Sequence, residues 1–177
     1  IYRVSVADSR EAVGLVKEGN AEAGIVGTEY RHPSLVFTPV CRDEIVLIAP
    51  RGVPARLKTE ALISLPFVVR EQGSGTRRAY EEALASRGIA PSALHAALEC
   101  TTSEAAKESV AAGLGVAFVS RLAIARELKA RAFHVVAVEG LTIDRSFYFV
   151  RSGTRKLQRP AALLLDVLLE RFAESGS

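Results

Sequence analysis

Short apolar runs alternate with amphipathic segments along most of the chain, which is the pattern of an α/β protein. Nearly continuous or alternating apolar runs predict strands, and apolar residues that recur every three or four positions predict helices. The predicted strands are 2–7, 23–27, 35–40, 44–49, 67–70, 96–100, 116–119, 135–138 and 146–150. The predicted helices are 10–18, 103–112, 120–129, one that follows residues 71–76 and ends at about 87, and one that begins at about 160. A short helical turn is predicted at 59–63. This alternation predicts parallel sheets built from strand–helix–strand units.

The last predicted helix has an apolar stripe at three-to-four-residue spacing. We expect the helix to bury this stripe, which consists of Leu163, Leu164, Val167, Leu168 and Phe172. The three opening strands and their one helix do not make a closed hydrophobic layer. We therefore expect a middle unit of residues 43–151, flanked by an N-terminal piece and a C-terminal helix that pack together or stay half exposed.

The composition narrows the class of protein without naming it. The chain is 49% hydrophobic, 24% charged and 6% aromatic, which suits a soluble α/β domain. Its longest apolar stretch, residues 160–169, is about half the roughly 20 residues needed to span a bilayer. The net charge of +3 comes without a block of basic residues, so no surface for nucleic acid is predicted. No signal peptide is visible, and the start at Ile1 resembles a cut.

Cysteine and histidine give no sign of a metal or redox site. Cys41 and Cys100 are far apart and have no neighbouring histidine, which fits thiols in a reducing cytoplasm better than a disulfide or a zinc site. The three histidines are isolated from one another, so no metal ligand set is predicted. We expect no cofactor and a cytoplasmic location.

The most informative local feature is the glycine-rich segment Gln72–Arg77, which leaves a predicted buried strand and opens a helix. Its glycines allow close backbone approach, and the first turn of a helix offers free N–H groups to an anion. Capping of the helix by Ser74 is the structural alternative. The position after a strand of an α/β sheet, where ligands commonly bind, favours an anion site.

Named catalytic and nucleotide motifs do not fit this segment. A dinucleotide loop would need glycine at Arg78, and a phosphate loop would need lysine followed by serine or threonine. A hydrolase nucleophile elbow would need glycine at Gln72. Gly113–Val116 follows a helix and is interpreted as a tight connection to the next strand.

Three other hydroxyl-bearing turns follow strands or precede helices in the same way. On local evidence, plain helix capping is as good an explanation for the turn at 101–103 as ligand binding. The predicted ligand-binding residues are Ser9, Gly27, Thr28, Gly73, Ser74, Gly75, Thr76, Thr101, Thr102 and Ser103.

Four segments, taken in their order along the chain, resemble parts of the effector-binding domain of LysR-type transcriptional regulators, and the resemblance covers nearly the whole chain. The segment Val16–Gly27 resembles the family's helix and "G-x-A-D-x-G-I" strand, with Glu22 and Ala23 where the pattern often has Ala-Asp. Arg42–Pro50 resembles its crossing strand into a second lobe, Arg70–Arg77 resembles a subgroup's pocket loop, and Ser109–Ala117 resembles its "V-x-A-G-L-G-I-A" segment.

The resemblance implies two Rossmann-like lobes joined by a hinge, as in type II periplasmic binding proteins. Lobe I would comprise residues 1–42 and 152–177, lobe II residues 43–151, and a small, anionic effector would bind in the cleft between them. It also implies a winged helix-turn-helix DNA-binding domain and the first strand and helix of lobe I before Ile1. The partners implied are DNA through that missing domain and a second copy, as homodimer or homotetramer, with no membrane.

Two rival functions share this fold. A transport solute-binding protein would require secretion, and the stretch Cys41–Pro50 favours the regulator. An enzyme of the prephenate dehydratase or porphobilinogen deaminase type would need a catalytic acid or an attached cofactor, and the sequence offers no obvious one, so we expect a protein that is not an enzyme.

Overall fold

The computed structural model describes residues 3–173, which hold five α-helices and eight β-strands. The helices are α1 (Ser9–Glu18), α2 (Gly75–Ala85), α3 (Ser103–Ala111), α4 (Ala125–Ala130) and α5 (Arg159–Ala173). The strands are β1 (Ala23–Val26), β2 (Leu35–Ala49), β3 (Arg56–Leu57), β4 (Pro66–Arg70), β5 (His95–Cys100), β6 (Ala117–Ser120), β7 (His134–Val138) and β8 (Asp144–Ser152). Short 3₁₀ turns lie at Thr59–Ser64, Pro91–Ala93 and Arg121–Ala123. Among the described helices, none has the length and apolar content to cross a membrane.

The chain forms two units. Unit 1 holds the residues up to Arg42 and those from Arg145 onward, and unit 2 is Asp43–Asp144. The chain leaves unit 1 within β2 and returns at the start of β8. This return comes earlier than the expected boundary after residue 151, because the second half of β8 pairs with β1.

Unit 1 is built around an antiparallel pair, in which Val26 of β1 faces Tyr148 of β8. Helix α1 packs on β1, with Asp8 as its N-cap and Gly19 in the left-handed conformation at its end. This pairing corrects the expectation of a parallel strand–helix–strand unit here, because the neighbour of β1 comes from the returning chain and not from the next strand. The buried core of unit 1 is Val16, Val26, Leu35 and Val150.

Unit 2 combines antiparallel and parallel strand pairs. Strand β2 is antiparallel to β6 on one side and to β7 on the other, and β3 is parallel to β7. Strand β4 is parallel to β5, and its other edge bonds to Val116, next to β6, with Val68 N 2.8 Å from Val116 O. The predicted parallel arrangement is therefore confirmed for β4 and β5, the strands that precede the two hydroxyl-rich turns of this unit.

Glycine makes the approach of β4 to Val116 possible. Gly115 has a φ of +151°, and a Cβ at that position would lie 2.4 Å from the carbonyl oxygen of Pro66. Gly113, with a φ of +83°, lies just after the end of α3. The interpretation of this segment as a tight helix-to-strand connection is confirmed.

Aromatic rings fill the core on one face of unit 2. Tyr80 of α2 stacks on Phe118 with ring centroids 4.8 Å apart, and Phe118 stacks on Phe67 at 5.8 Å. All three are buried, and burial raises the pKa of the Tyr80 hydroxyl. Phe67 and Phe118 are thus core residues of this unit.

Four predicted elements differ from the structure. Residues 3–7 form no strand, because they find no ladder partner among the described residues, and Tyr2 lies outside them. The predicted strands 35–40 and 44–49 are one strand, β2. The predicted helix 120–129 is a strand end, a 3₁₀ turn and the short α4. The stripe of α5 is half exposed, with Leu163 60% accessible.

Candidate functional site

The glycine-rich turn lies at the carboxyl end of β4, as predicted. Strand β4 ends at Arg70 and α2 begins at Gly75, with Ser74 as N-cap. The Ser74 Oγ accepts a hydrogen bond from the Arg77 N–H at 3.4 Å. Ser74 and Thr76 are buried, with 3% and 7% of their surface accessible. The capping alternative is therefore realised, but an accepted bond leaves the hydroxyl hydrogen of Ser74 able to donate.

The second hydroxyl-rich turn has the same design at the carboxyl end of β5. Thr102 is the N-cap of α3, and its Oγ1 accepts from the Ala105 N–H at 3.1 Å. Thr101 and Thr102 are exposed, and Ser103 is half-buried. This turn also combines capping with hydroxyl groups that face solvent.

These two turns lie side by side, because β4 and β5 are adjacent parallel strands. Arg70 is opposite Cys100 in the register, and the Glu71 N–H donates to the Cys100 carbonyl at 3.1 Å. Parallel strands end at one edge of a sheet, which is where ligands bind in open α/β folds. The structure therefore brings together seven of the predicted residues: Gly73, Ser74, Gly75, Thr76, Thr101, Thr102 and Ser103.

Arg70 joins the two turns, a role that the sequence did not reveal. Its guanidinium is held by the Glu71 carboxylate, with Nη2 2.7 Å from Oε1. Its Nη1 donates to Ser103 Oγ at 2.7 Å, and its Nη2 also donates to the Thr101 carbonyl at 3.1 Å. The side chain is only 12% exposed. A strand-end arginine before a glycine-rich turn was the one available signal, and its partners 31 and 33 positions away were not predictable from it.

Arg77 stabilises the end of β4 and does not present a charge to the turn. It donates to the Arg70 carbonyl at 2.7 Å and pairs with Glu81 and Glu99 at 2.7 and 3.0 Å. Burial lowers its pKa, but the bonds to Glu81 and Glu99 outweigh this and raise the pKa of the guanidinium. Arg78 pairs with Glu82 on the exposed side of α2.

The predicted residues of unit 1 form a turn of their own. The Ser9 Oγ accepts a hydrogen bond from the Gly27 N–H at 3.3 Å, which ties the start of α1 to the end of β1. Gly27 is buried and Thr28 is half-buried. Arg145 was missed: a Cβ on Gly27 would lie 2.7 Å from its Nη1, so its guanidinium lies against this turn. No local pattern links these two positions, which are far apart in the sequence.

A depression in unit 1 lies elsewhere. A groove of about 260 Å³ runs between Ser5–Ala7 and Ala23–Ile25, bordered by Ala12 and Leu15 of α1. The predicted ligand-binding residues do not line it. Its walls are mainly small apolar side chains, and Ser5 supplies the one side-chain hydroxyl among the residues that line it.

The other chemically notable side chains are structural. Cys100 donates from Sγ to the Val69 carbonyl at 3.5 Å, and burial raises the pKa of its thiol against an opposing effect of Arg70. The thiolate that would react with oxidants or alkylating agents is thereby disfavoured. Within residues 3–173 no three acidic, histidine or cysteine side chains are grouped to hold a metal ion.

Comparison with known proteins identifies the family. The family model "LysR substrate binding domain" matches residues 2–173. A relative called "Probable RuBisCO transcriptional regulator", from Cyanophora paradoxa, is 30% identical over 97% of this chain and 55% of its own length. "HTH-type transcriptional regulator CbbR" from Rhodospirillum rubrum is 30% identical over 97% of this chain and 57% of its own length.

One relative has a different name. "Phosphonates import ATP-binding protein PhnC" from Anaeromyxobacter dehalogenans is 39% identical over 93% of this chain, but only 34% of that protein is matched. The present chain has no glycine–lysine pair and hence no phosphate loop of the kind that binds nucleotides. The chain spans about half or less of the length of these relatives.

Solved structures share the fold. The CcmR regulatory domain of Synechocystis PCC6803 in complex with 2-PG matches with a TM-score of 0.81 at 22% identity, covering 93% of this chain and 80% of that one. The effector-binding domain of QuiR in complex with shikimate gives 0.80 at 14% identity, covering 95% and 79%. These neighbours have the type II periplasmic-binding-like fold, which confirms the expected fold class. The chain belongs to the LysR substrate-binding domain family and is the effector-binding domain of a LysR-type regulator.

Proposed function

We propose that this domain binds a small anion, either a carboxylate or a phosphate-bearing metabolite, at the hydroxyl-rich turns of unit 2 and releases it unchanged. One observation carries this proposal: the adjacent carboxyl ends of β4 and β5 hold two turns that Arg70 joins. Both turns open helices, whose first N–H groups favour negative charge. The proposed ligand-binding residues are those of the two turns of unit 2 and, in a separate turn of unit 1, Ser9, Gly27 and Thr28.

The charges around the unit 2 turns favour recognition by N–H and O–H groups. Glu71 offsets the charge of Arg70, and Glu81 and Glu99 offset that of Arg77. Ser74 and Thr76 therefore carry most of the anion contacts in unit 2 in this account. Hydroxyl and backbone donors fixed by capping are already oriented, which reduces the ordering cost of binding.

The names of relatives support an oxyanion. QuiR was solved with shikimate, which is a carboxylate, and CcmR with 2-PG. Another relative is named for phosphonates. A transport role for the present chain is not favoured, because the family model of the LysR substrate-binding domain matches residues 2–173.

In the full-length protein, we propose, a winged helix-turn-helix domain precedes this one and binds DNA in the cytoplasm. The support is the name of the Rhodospirillum rubrum relative and the 57% of its length that this chain covers. Ligand binding would act by a population shift, because an effector that prefers one conformation raises its share.

A second copy of the chain is the proposed partner, giving a homodimer or a tetramer built from dimers. Strand β5 supports this, because it pairs with β4 on one edge and no described residue pairs with its other edge. Residues His95–Glu99 are all exposed, with Leu98 38% accessible. An exposed strand edge of this kind is a template for pairing with another chain.

The proposed function is tested by titrating the 177-residue chain with shikimate, 2-PG, phosphate, sulfate and a phosphonate in a calorimeter. We expect saturable binding of at least one anion, lost in the Ser74→Ala, Thr76→Ala double variant. Ser152→Ala is the matched control, because Ser152 is also a buried turn-capping serine, whose Oγ accepts from Thr154 and Arg155. Recovery of the bound ligand unchanged distinguishes a sensor from an enzyme, and turnover would contradict the proposal.

A further inference from the structure

Four hydrogen bonds tie the Arg70 guanidinium to the chain around it. Its Nε and Nη2 donate to the two carboxylate oxygens of Glu71 at 2.8 and 2.7 Å, which makes a two-pronged ion pair. The same Nη2 donates to the Thr101 carbonyl at 3.1 Å, and Nη1 donates to Ser103 Oγ at 2.7 Å. A guanidinium has five N–H groups, so most of the donors of Arg70 are used within the protein.

Glu71 connects this guanidinium to the glycine-rich turn. The Ser74 N–H donates to the Glu71 carbonyl at 3.0 Å, and the Glu71 N–H donates to the Cys100 carbonyl at 3.1 Å. The side chains of Glu71 and Arg70 are only 16% and 12% exposed, and a shielded, two-pronged pair has a well-defined geometry. A continuous path of bonds therefore runs from Ser74 through Glu71 and Arg70 to Ser103.

The bond from Arg70 sets how the Ser103 hydroxyl can act. A guanidinium only donates, so Ser103 Oγ accepts in this bond and its hydrogen is left for another acceptor. Ser103 is half-buried and is the first residue of α3, where the N–H groups of the helix favour negative charge. Arg70 thus keeps Ser103 as a hydrogen-bond donor at the sheet edge where the Ser74 turn also lies.

The charge of Arg70 is already matched inside the protein. Glu71 occupies the fork of Nε and Nη2, which is the part of a guanidinium that binds a carboxylate or phosphate through two parallel bonds. An anion at these turns therefore meets a neutral pair and not a free cation. Arg70 can still act on binding, but through the donor that it orients.

We infer that Arg70 is a positioning residue of the unit 2 anion site: held by Glu71, it fixes Ser103 as a donor beside the Ser74 turn and does not itself contact the ligand. This inference rests on the proposed function. It has a consequence that charge alone does not give, because Glu71 is what orients Arg70. Removing the negative charge of Glu71 weakens the binding of an anion.

The test compares calorimetric affinities for sulfate, phosphate and shikimate among the wild-type chain, Glu71→Gln and Arg70→Gln. We expect both variants to bind roughly 10-fold more weakly, about the value of one hydrogen bond to a charged group. Arg70→Lys keeps a donor at this position and should recover part of the affinity. In a Ser103→Ala background, Arg70→Gln should have little further effect, because Arg70 acts through Ser103.

Two control variants separate positioning from charge and from stability. Glu81→Gln removes a carboxylate from Arg77 on α2 and leaves Arg70 untouched. It should bind the anion at least as tightly as the wild-type chain, because a nearby negative charge is gone. Lys107→Met removes a buried cation of α3 that bonds to Glu127 and to neither turn, so it should lower stability and keep the wild-type affinity.

The outcomes separate this inference from the function on which it rests. Weaker binding by Arg70→Gln and Glu71→Gln, with wild-type or tighter binding by both controls, supports it. Wild-type or tighter binding by Glu71→Gln overturns it and leaves the proposed function standing, as does an equal loss of affinity in Lys107→Met. No binding of any anion by the wild-type chain overturns both. If circular dichroism shows that Arg70→Gln does not fold, Glu71→Gln alone decides.

Discussion

Ser74 shows how a single residue serves both the fold and the ligand. Its Oγ caps α2 through the Arg77 N–H, and its hydrogen remains able to donate. Because the same hydroxyl group caps the helix and can donate to a ligand, an alanine variant loses stability and binding together. A substitution that keeps the cap and changes the charge separates the two.

We predict that Ser74→Asp keeps the stability of the chain but abolishes anion binding. Aspartate caps helices about as well as serine, whereas Ser74→Ala should cost about 1 kcal/mol of unfolding free energy. The carboxylate of Ser74→Asp would repel an anionic ligand. Urea denaturation and calorimetric titration of both variants measure the two effects. Anion binding by Ser74→Asp at wild-type affinity would show that the ligand does not contact this turn.

Lys107 connects two elements of unit 2. Its Nζ is buried on α3 and bonds to Glu127 of α4, to the Ala123 carbonyl at 2.9 Å, and to Glu104 at 2.9 Å. Burial lowers the pKa of Lys107, but the bonds to Glu127 and Glu104 outweigh it and raise the pKa. The bond from Lys107 lowers the pKa of Glu127. The Lys107–Glu127 ion pair therefore holds α3 against α4.

We predict that Lys107→Met lowers the unfolding free energy at pH 7 by about 1–3 kcal/mol, because buried acceptors lose their donor. A lowered carboxyl pKa stabilises the fold above the ordinary value of 4.5, and this contribution is lost as the pH falls through the folded-state pKa. When the pH is lowered from 7 into the acid range, the unfolding free energy of Lys107→Met should therefore decrease less than that of the wild-type chain. Denaturation curves at several pH values measure this, with exposed Lys129→Met of α4 as control. Parallel pH curves for wild type and Lys107→Met would contradict it.

Elements whose ends are marked by neighbouring residues were predictable from the sequence. Elements that depend on contacts with residues far along the chain were not. Helix α1 was predicted nearly to its ends, because Asp8 and Gly19 mark them. The single long β2 was not, because the polar residues around Arg42 look like a break. The stripe of α5 was correctly located, but its burial depends on partners that no local pattern contains.

Some residues of the candidate site were likewise predictable from the sequence, and others were not. The turns at Ser74 and Thr102 were predicted because glycine, serine and threonine mark a strand-to-helix turn. They lie side by side because β4 and β5 pair in parallel, which agrees with the parallel strand–helix–strand units that the sequence pattern predicts. Arg70 and Arg145 were missed, because each acts across long stretches of sequence through a side chain whose direction no spacing rule gives.

At the scale of the whole molecule, the free edge of β5 bears on assembly. We predict that Leu98→Arg weakens self-association of the chain, because a buried charge at a strand-pairing surface is costly. Ile63→Arg is the control, since Ile63 is 50% exposed in a 3₁₀ turn and belongs to no strand. Sedimentation velocity over a range of concentrations measures the dimer. If the Leu98→Arg variant dimerises as the wild-type chain does, the dimer interface lies on another surface.

Calorimetric titration with the anion panel tests whether the chain is an anion sensor and not an enzyme or a bare scaffold. We predict saturable binding of at least one small carboxylate or phosphate-bearing anion. We also predict that the Ser74→Ala, Thr76→Ala variant loses this binding while Ser152→Ala retains it. Equal binding by the double variant and the wild-type chain, or binding of neutral ligands alone, would show that the hydroxyl-rich turns of unit 2 are not an anion site.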